Sequence, residues 1–436
     1  MRDVLVAGGG LTGASLAVAL AEQGLKVAVA EAVAPGDPGQ PSLDDRTSAI
    51  ARTGVRILKQ LDVWPRLSEA ASPIRAVEIS ERGCFGAARI EAQAEGLENL
   101  GCVVRNRVLG KALWEKLREL ENIEIFCPAR VRSVETGSGS VAVRIEDGVV
   151  ARERKAKAGG ASGGGGEAGT GRSGTIRTVK ARLLAVAEGA RSPLRDAFGI
   201  PAQQTDYAQV AVTGLVQVRK LIRPHTAWER FTAQGPLALI PAGGNRYGFV
   251  VVSGRDEAAA LKAMEDADLL ARLQALVGYR AGQFVRVGRR AAYPLALSRA
   301  ARVTAPRAVL VGAAANSMHP LAAQGFNLAL RDIAALTETR AAQQGPPGLD
   351  AHRCPPPDPG DVELLSRYAS WRRRDQANVV RFTDTLARLS RRSLLRPLRG
   401  LALQAFDLAP QAKPLLARFA LGQGGRMSRL ARGLPL

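Results

Sequence analysis

The chain has 436 residues, 46% of them hydrophobic, and a net charge of +21, which describes a globular protein long enough for about two or three domains. No run of about 18 apolar residues predicts a membrane span, the start lacks a signal-peptide pattern, and four cysteines without a CxxC pair predict neither a metal site nor disulfides, as in a reducing cytoplasm. The charge would suit an anionic membrane surface or an acidic partner, but the low aromatic content and the lack of a binding motif exclude nucleic acid.

The N-terminal segment predicts a dinucleotide-binding unit. A buried strand over residues 3–7 is followed by a glycine turn, a helix over residues 14–23 and a second strand over residues 26–30 that ends in an acid. In such a unit the first glycine turns the chain, the second admits a pyrophosphate, the third lets the helix pack closely, and the acid accepts ribose hydroxyls. The pattern alone does not separate NAD from FAD. Its candidate binding residues are Gly8, Gly10, Leu11, Thr12, Gly13 and Glu31.

Two helices are expected after this unit. Residues 48–61 predict a helix because their apolar residues recur at helical spacing, and Asp45 or Thr47 would cap it. Residues 108–120 predict the other, with Asn106 as a candidate cap just before it.

Strands fill most of the region up to residue 187. Residues 76–80 and 88–92 alternate as in a hairpin. Further strands are expected at residues 100–106, 123–126, 131–134, 141–145 and 178–187. The glycine-rich segment 152–173 is predicted to be a flexible insertion. The last strand runs into Glu188-Gly189-Ala-Arg-Ser192-Pro-Leu-Arg195, whose plainest interpretation is a strand that ends in a capped helix.

The region from residue 207 to 287 predicts an open antiparallel sheet with one wall free for a substrate. Its strands are expected at residues 210–218, 229–232, 237–240 and 247–252, and a helix at residues 257–277. Trp228, Phe231, Phe249 and Tyr293 are candidates to line a pocket, with ordinary core packing as the alternative. Residues 293–297 are expected to return to the first domain.

The most distinctive stretch spans residues 309–332. A short buried strand ends at Gly312, small residues follow, Pro320 stiffens the loop, and Gly325 is expected to permit a tight bend before a helix that begins at Phe326. The start of that helix exposes unpaired N–H groups, which suit an anionic ligand atom. A plain strand-loop-helix connection would explain the small residues, but not His319, Gln324 and Asn327 together.

The C-terminal part predicts helices. The helix after the loop is expected to reach about residue 343, and a proline-rich surface loop to cover residues 345–360. Residues 368–389 predict another helix. The basic tail, residues 394–436, has apolar residues at helical spacing and could bind a partner or an anionic membrane surface, or simply pack on the rest of the chain.

Two motifs resemble those of the ubiquinone-biosynthesis hydroxylases, which are FAD-dependent aromatic monooxygenases built like 4-hydroxybenzoate hydroxylase. One is the loop motif, His319-Pro320-Leu321 followed by Gln324-Gly325, Asn327 and Asp332. The other is an arginine-rich helix that contains Arg372-Arg-Arg-Asp375 and then Thr-Asp-Thr-Leu-Ala-Arg-Leu at residues 383–389. Most other flavin hydroxylases lack the second motif.

The resemblance implies a set of FAD contacts. The loop with His319, Pro320, Gln324 and Gly325 would face the flavin ring, although no catalytic side chain is singled out. With the N-terminal unit, the expected cofactor-binding residues are Arg46, Asn106, Glu188, Gly189, Gly312, Ala323, Gln324, Gly325, Phe326 and Asn327.

The implied fold is α/β, with a Rossmann-like FAD-binding domain, an inserted α+β substrate domain with an antiparallel sheet, and C-terminal helices. The FAD-binding domain would be discontinuous, over residues 1–75, 98–200 and 288–345. The substrate domain would take residues 76–97 and 201–287, and the helical region residues 361–436.

The implied reaction is hydroxylation of a polyprenylated phenol in ubiquinone biosynthesis. Reduced FAD would react with O2 to give a C4a-hydroperoxide, which passes oxygen to the ring, and NAD(P)H or another protein would supply the electrons. We expect a cytoplasmic protein, with a peripheral position at the inner membrane or in a quinone-biosynthesis complex as options.

Departures from the family pattern keep two alternatives open. Ala313 stands where the family has Asp or Asn, Asn316 where it often has His, and Ala323 and Ala329 where it has glycines, while Glu188 replaces Asp. A weakly catalytic or non-catalytic subunit that scaffolds a quinone-biosynthesis complex is one alternative, and a hydroxylase of aromatic degradation is the other.

Overall fold

The computed structural model describes residues 1–37, 40, 44–148, 174–343, 357–390, 396–409 and 412–436. The predicted glycine-rich insertion, residues 152–173, and residues 345–356 of the predicted proline-rich loop therefore lie outside the described residues. Among the described helices, none has a stretch long and apolar enough to cross a bilayer.

The strands, in chain order, are β1 (Arg2–Ala7), β2 (Val27–Ala30), β3 (Thr47–Ala51), β4 (Ser72–Ile74), β5 (Ala76–Glu81), β6 (Ala87–Glu91), β7 (Gly101–Arg105), β8 (Ile123–Phe126), β9 (Ala129–Thr136), β10 (Val141–Asp147), β11 (Ile176–Val186), β12 (Ala202–Val218), β13 (Thr226–Phe231), β14 (Pro236–Pro241), β15 (Arg246–Gly254), β16 (Phe284–Val287), β17 (Ala291–Ala300), β18 (Thr304–Ala305), β19 (Ala308–Leu310) and β20 (Asn316–Ser317). The helices are α1 (Leu11–Ala21), α2 (Arg52–Gln60), α3 (Asn106–Glu119), α4 (Pro193–Ala197), α5 (Arg255–Ala263), α6 (Asp266–Val277), α7 (Gln324–Ala341), α8 (Val362–Ser390), α9 (Arg396–Leu408), α10 (Ala412–Ala420) and α11 (Arg429–Arg432).

A parallel sheet forms the first layer, with strand order β19-β11-β1-β2-β8. Its central strands consist almost wholly of Val, Leu and Ala and are buried on both faces, as strands of a parallel sheet usually are. Helices α1, α3 and α7 pack on one face, and the strands β9 and β10 extend the sheet as an antiparallel ribbon. The dinucleotide unit predicted from the N-terminal sequence is confirmed as strand, helix and strand.

A mostly antiparallel sheet of nine strands forms the second layer, in the order β20-β17-β12-β15-β14-β13-β5-β6 with β16 beside β12, and β13 and β5 pair in parallel. It is called the antiparallel sheet below. Its hairpin β5–β6 was predicted and is confirmed. Helices α5 and α6 cover one face. The other face turns toward the loop before α7 and toward α8, because Leu321 and Val380 pack into the same cluster as Phe231 and Leu297.

Three local predictions were wrong. Residues 47–51 do not begin a helix: they form β3, which pairs with β7, and the helix starts at Arg52. The segment that contains Tyr293 does not return to the parallel sheet, because β17 pairs along β12. The helix predicted at residues 257–277 is two helices, α5 and α6, separated by extended backbone at Met264 and Glu265.

The helix α8 is bound to α7 through buried charges. Arg372 donates to Asp332 at 2.6 Å, and Asp375 accepts from Arg331 at 3.0 Å. All four side chains are almost completely buried, so losing one partner would leave an uncompensated charge inside the protein. The arginine-rich C-terminal motif and the last residue of the loop motif thus belong to one structural unit.

Helices α9 and α10 cover the edge of the antiparallel sheet, whereas α11 packs on α2 and α7. Helix α9 packs on β5 and β6, where Arg399 pairs with the buried Glu81 at 2.8 Å. Ala417 and Leu421 pack with Ile90 of β6. This part of the tail therefore covers the β5–β6 edge of the antiparallel sheet.

Candidate functional site

Four parallel strands bring the sequence motifs to one edge. The strands β1, β2, β11 and β19 all end there, and each is followed within two residues by a motif residue: Gly8, Glu31, Glu188 and Gly312. Ligands of open parallel sheets bind outside the carboxyl ends of the strands. The edge is therefore the candidate functional site.

The glycine turn packs too tightly for side chains. Gly8 has a φ of +100°, and a Cβ there would lie 2.7 Å from the carbonyl oxygen of Ala187. A Cβ on Gly13 would lie only 1.8 Å from the oxygen of Gly8. Helix α1 begins after Gly10 without a side-chain cap, so the N–H groups of its first turn, including those of Leu11 and Thr12, point toward the site.

Glu31 lies against this turn. Its carboxylate accepts from the N–H of Gly9 at 2.5 Å and from the N–H of Val33 at 2.8 Å. Trp114 donates its ring N–H to the oxygen of Gly9 at 2.9 Å, so the turn is fixed from both sides. The acid is buried at the end of β2, where the sequence predicted it.

Glu188 and Gly189 follow β11. The carboxylate of Glu188 accepts from the hydroxyl of Ser192 at 2.7 Å and from the N–H of Leu194 at 3.0 Å, so it anchors the start of α4. Gly189 has a φ of +100° and a Cβ there would meet open space. The helix predicted after this strand is confirmed, and the longer acid fits its position.

Arg46 lies beside a cluster that joins the two sheets. It donates to Asp44 at 2.7 Å, and its guanidinium lies 4.2 Å from the ring centre of Tyr293. Tyr293 donates its hydroxyl hydrogen to Asp44 at 2.6 Å, and burial, aided by this bond, raises the pKa of Tyr293 to about 12. Tyr293 therefore connects β17 to the segment before β3.

The loop before α7 turns at alanines and not at the glycine. Ala322 and Ala323 have φ of +62° and +48°, the left-handed conformation that glycine normally takes. Gly325 is a helical residue in the first turn of α7, which begins at Gln324 and not at Phe326. The prediction that Gly325 permits the bend was therefore wrong, although a Cβ at Gly325 would point into open space.

Asn327 ties α7 to β3 rather than facing the open side. Its amide group donates to the oxygens of Ala49 and Ala323, both at 2.8 Å, and accepts from the N–H of Ala51 at 2.8 Å. Asn106 also differs from its predicted place: it is the first helical residue of α3, and its side chain accepts from Ser48 at 2.6 Å. Both amides hold β3 under the loop.

The sequence did not single out the contact between the loop and α8. Tyr207 packs edge-on against His319 with ring centres 5.3 Å apart, and its hydroxyl donates to Asp384 at 2.9 Å. Asp384 belongs to the Thr-Asp motif, so that motif was the available signal. Burial lowers the pKa of His319 to about 4, although the charge of Asp384 opposes this, so the imidazole is neutral near pH 7.

The four aromatic pocket candidates divide between the two faces of the antiparallel sheet. Trp228 and Phe249 pack against α5 and α6, so their core interpretation holds. Phe231 packs on the opposite face with Leu321 of the loop, and Tyr293 reaches Asp44. Those two residues remain beside the site.

Some buried polar atoms beside the site have no hydrogen-bond partner in the described part of the protein, so a ligand could supply one. Within the described part of the chain, the buried Nε2 of His319, Oε1 of Gln324 and Nδ2 of Asn316 have no hydrogen-bond partner. Gly312 also contacts the α1 turn, because a Cβ there would lie 2.8 Å from Thr12. The open helix starts at α1 and α7 fit the phosphates and the ring edge of a dinucleotide cofactor. In the described residues, no group of three or more His, Cys, Asp or Glu could hold a metal ion.

The comparisons agree with this geometry. The family model of the FAD binding domain matches residues 1–344. The solved p-nitrophenol 4-monooxygenase PnpA from Pseudomonas putida shares the fold, with a TM-score of 0.74, 16% identity, and coverage of 98% of this chain and 99% of that chain. The family model and the shared fold therefore define a protein with an FAD-binding domain.

Two relatives place the chain more closely. It is 33% identical over 441 residues to the ubiquinone hydroxylase UbiL of Rhodospirillum rubrum, covering 100% of this chain and 94% of the relative. It is 30% identical over 432 residues to the 3-demethoxyubiquinol 3-hydroxylase of Escherichia coli, covering 96% and 98%. The chain belongs to the FAD-dependent hydroxylase family of ubiquinone biosynthesis, and its cofactor is FAD.

Proposed function

We propose that this protein uses O2 to hydroxylate the aromatic ring of a polyprenylated quinone precursor. The observation that carries the substrate side of the proposal is the wall opposite the start of α7. On that face of the antiparallel sheet, a row of small and apolar side chains stays partly exposed inside the fold: Val77, Ile79, Ala238, Ile240 and Val250. On the other face, the alternating side chains of β14 and β15, such as Leu239 and Val251, are buried under α5 and α6. A flat ring with a prenyl chain is the kind of molecule that such a wall accommodates.

The residues that would hold FAD follow from the same edge. The first turn of α1, from Gly10 to Gly13, would bind the pyrophosphate, and Glu31 would meet the ribose. The backbone N–H groups at Gln324, Gly325 and Phe326 would face the ring edge where negative charge collects on reduction.

Other motif residues would contact FAD from the side or support it. We include among them Arg46, Asn106, Glu188, Gly189, Gly312 and Ala323. The side chain of Asn327 would act indirectly, since its amide hydrogens are both used to hold β3 and Ala323. His319 and Pro320 would shape the loop.

FAD supplies the oxygen-activating chemistry when bound, and the chain orients the substrate ring and excludes water. The loop and α8 pack on one face of the antiparallel sheet and α9 covers its edge, and a neutral His319 would add no charge beside the ring. NAD(P)H or a separate reductase would deliver the electrons.

The outward face of α9 exposes Leu398, Leu401 and Leu408, and we propose this face as the contact with a quinone-biosynthesis complex or the inner-membrane surface.

The test is oxygen incorporation by the purified, FAD-loaded protein. It would be mixed with a short-chain 2-prenylphenol, NADPH with a flavin reductase, and ¹⁸O-labelled O2. The proposal expects a ring-hydroxylated product that carries one labelled oxygen atom. Reduced flavin that is reoxidised with release of hydrogen peroxide, without labelled product from any prenylphenol, would contradict it and favour the scaffold alternative.

A further inference from the structure

One acidic residue, Glu229, lies in the middle of the apolar wall. It is on β13, where it is paired sideways with Ala238 of β14 and with Ile79 of β5. Directly paired residues share a face of the sheet. Its chain neighbours Trp228 and Arg230 point the other way, where Trp228 packs in the α5–α6 core and Arg230 donates to Ser80. Glu229 therefore faces the space between the two large sheets.

The neighbours along the strand fix how Glu229 lies relative to the flavin loop. Ala227, two residues before it on the same face, lies in the same apolar cluster as Ala49 of β3, and the side chain of Asn327 donates to the backbone oxygen of Ala49. Phe231, two residues after it, packs with Leu321 of the loop. Glu229 therefore lies between a residue that clusters with β3 and a residue that clusters with the loop before α7.

The carboxyl group of Glu229 has no partner within the described residues. No hydrogen bond or ion pair reaches it, although it is only partly exposed. Burial in these apolar surroundings raises the pKa of Glu229 to about 8. A polar group kept without a partner in an apolar wall is costly for stability, so a function is the reason to look for.

The charged groups that face the same space have partners of their own. They are Glu81 with Arg399 of α9, Asp384 with Arg388 of α8, Asp44 with Arg46, and the hydroxyls of Tyr207 and Tyr293, which donate to Asp384 and Asp44. His319 is neutral near pH 7 because its pKa is lowered to about 4. None of these groups is used to neutralise Glu229.

We propose that Glu229 anchors the ring hydroxyl of the aromatic substrate, by accepting the hydrogen bond of a phenolic O–H. The assignment rests on the proposed function and names the group that selects a hydroxylated ring. A site built to pair with a substrate hydroxyl rejects the analogue that lacks it, because the polar group of the protein is then left unpaired. The residue is a substrate-binding group, and the oxygen transfer itself is not assigned to it.

The test measures binding without turnover. The FAD-loaded, oxidised protein would be titrated, in the absence of a reductant, with a short-chain 2-prenylphenol and separately with its methyl ether, and the flavin absorbance would report binding. We expect the wild type to bind the phenol about 10- to 100-fold more tightly than the ether. Glu229→Leu should bind the two equally. Glu229→Gln should keep part of the preference, because its amide oxygen still accepts.

Stability separates this role from a structural one. Removing a buried, unpaired carboxyl should leave the melting temperature of Glu229→Leu equal to or above that of the wild type. The matched control is Glu135→Leu, the same change at an exposed position of β9, which should keep the full preference for the phenol.

Four results would overturn the assignment. One is a wild type that binds both compounds equally, and another is a Glu229→Leu protein that keeps the preference; either leaves the proposed function intact. A clear loss of melting temperature in both Glu229→Leu and Glu229→Gln would show that the carboxyl holds the fold. If the wild type binds no prenylphenol, the proposed function fails together with the anchor.

Discussion

The helices α1 and α7 both begin at the cofactor edge, but their chains reach it in different ways. Before α1, glycine is required by the protein itself, since Cβ atoms at Gly8 and Gly13 would collide with backbone. Before α7, the left-handed residues are Ala322 and Ala323, while Gly325 has helical backbone and open space beside it. A glycine in a binding motif can therefore be needed for one of two reasons. Either a side chain would collide with the protein's own backbone, or a side chain would occupy space that the ligand needs.

The first prediction concerns the glycine that serves the backbone and has the largest expected effect. Gly13→Ala should lower the free energy of unfolding by about 3 kcal/mol or more, because the new Cβ would lie 1.8 Å from the backbone oxygen of Gly8. It should do so although alanine favours helices. Urea unfolding measures this.

Gly139→Ala is the matched control, since a Cβ there meets nothing within 4 Å. It should change the free energy of unfolding by less than about 0.5 kcal/mol. Equal stability of the Gly13→Ala and wild-type proteins would contradict the claim that the turn before α1 has no room for a side chain.

The second prediction concerns the glycine that serves the ligand. Gly325→Val should weaken FAD binding by about 100-fold or more, because its side chain fills the space beside the first turn of α7. The apoprotein should stay soluble and unfold within about 1 kcal/mol of the wild type. FAD titration and thermal unfolding of the apoprotein separate the two effects. Normal FAD affinity in this variant would place the flavin elsewhere.

The third prediction adds a contact to FAD. Ala313 is exposed next to Gly312, which lies against Thr12 of the α1 turn. In Ala313→Asp the new carboxylate should accept a charge-assisted hydrogen bond from FAD, worth about 1.5–3 kcal/mol, and so tighten FAD binding by about 10- to 100-fold. Titration of the apoprotein with FAD measures it. Unchanged or weaker binding would mean that the chain has rearranged its ribose contacts.

The smallest effect is expected at the strained alanine before α7. A left-handed conformation costs a residue other than glycine about 1–2 kcal/mol, and glycine's extra freedom when unfolded offsets about 0.5–1 kcal/mol. Ala323→Gly should therefore stabilise the protein by about 0.5–1 kcal/mol without changing FAD affinity. A thermal unfolding series checks this, and a clear loss of stability would contradict the strain.

The sequence predicted what depends on local pattern. The N-terminal unit, the hairpin β5–β6 and most strands of the antiparallel sheet lie where alternation and glycine spacing placed them. The prediction of a helix at residues 48–51 failed because Ile50 fits the apolar spacing of a helix and that of a strand equally well. Pairing with β7, which is distant in the sequence, makes the segment a strand.

The site was predictable as a set of motifs but not as a geometry. No spacing rule shows that positive φ falls on Ala322 and Ala323, or that the side chain of Asn327 makes its hydrogen bonds to β3. The Tyr207–Asp384 bond spans 177 residues of chain, and the lack of a partner at Glu229 is visible only once its neighbours are folded around it.

The most direct test of the central claim is the quinone profile of hydroxylase-deficient bacteria that carry this gene. The account predicts that the wild type restores one ring hydroxylation and depletes the unhydroxylated precursor. It predicts that Gly325→Val, though soluble, does not, and that deletion of residues 159–171 has little effect. A wild-type gene that restores no hydroxylation in any deletion strain, with an unchanged precursor pattern, would contradict it.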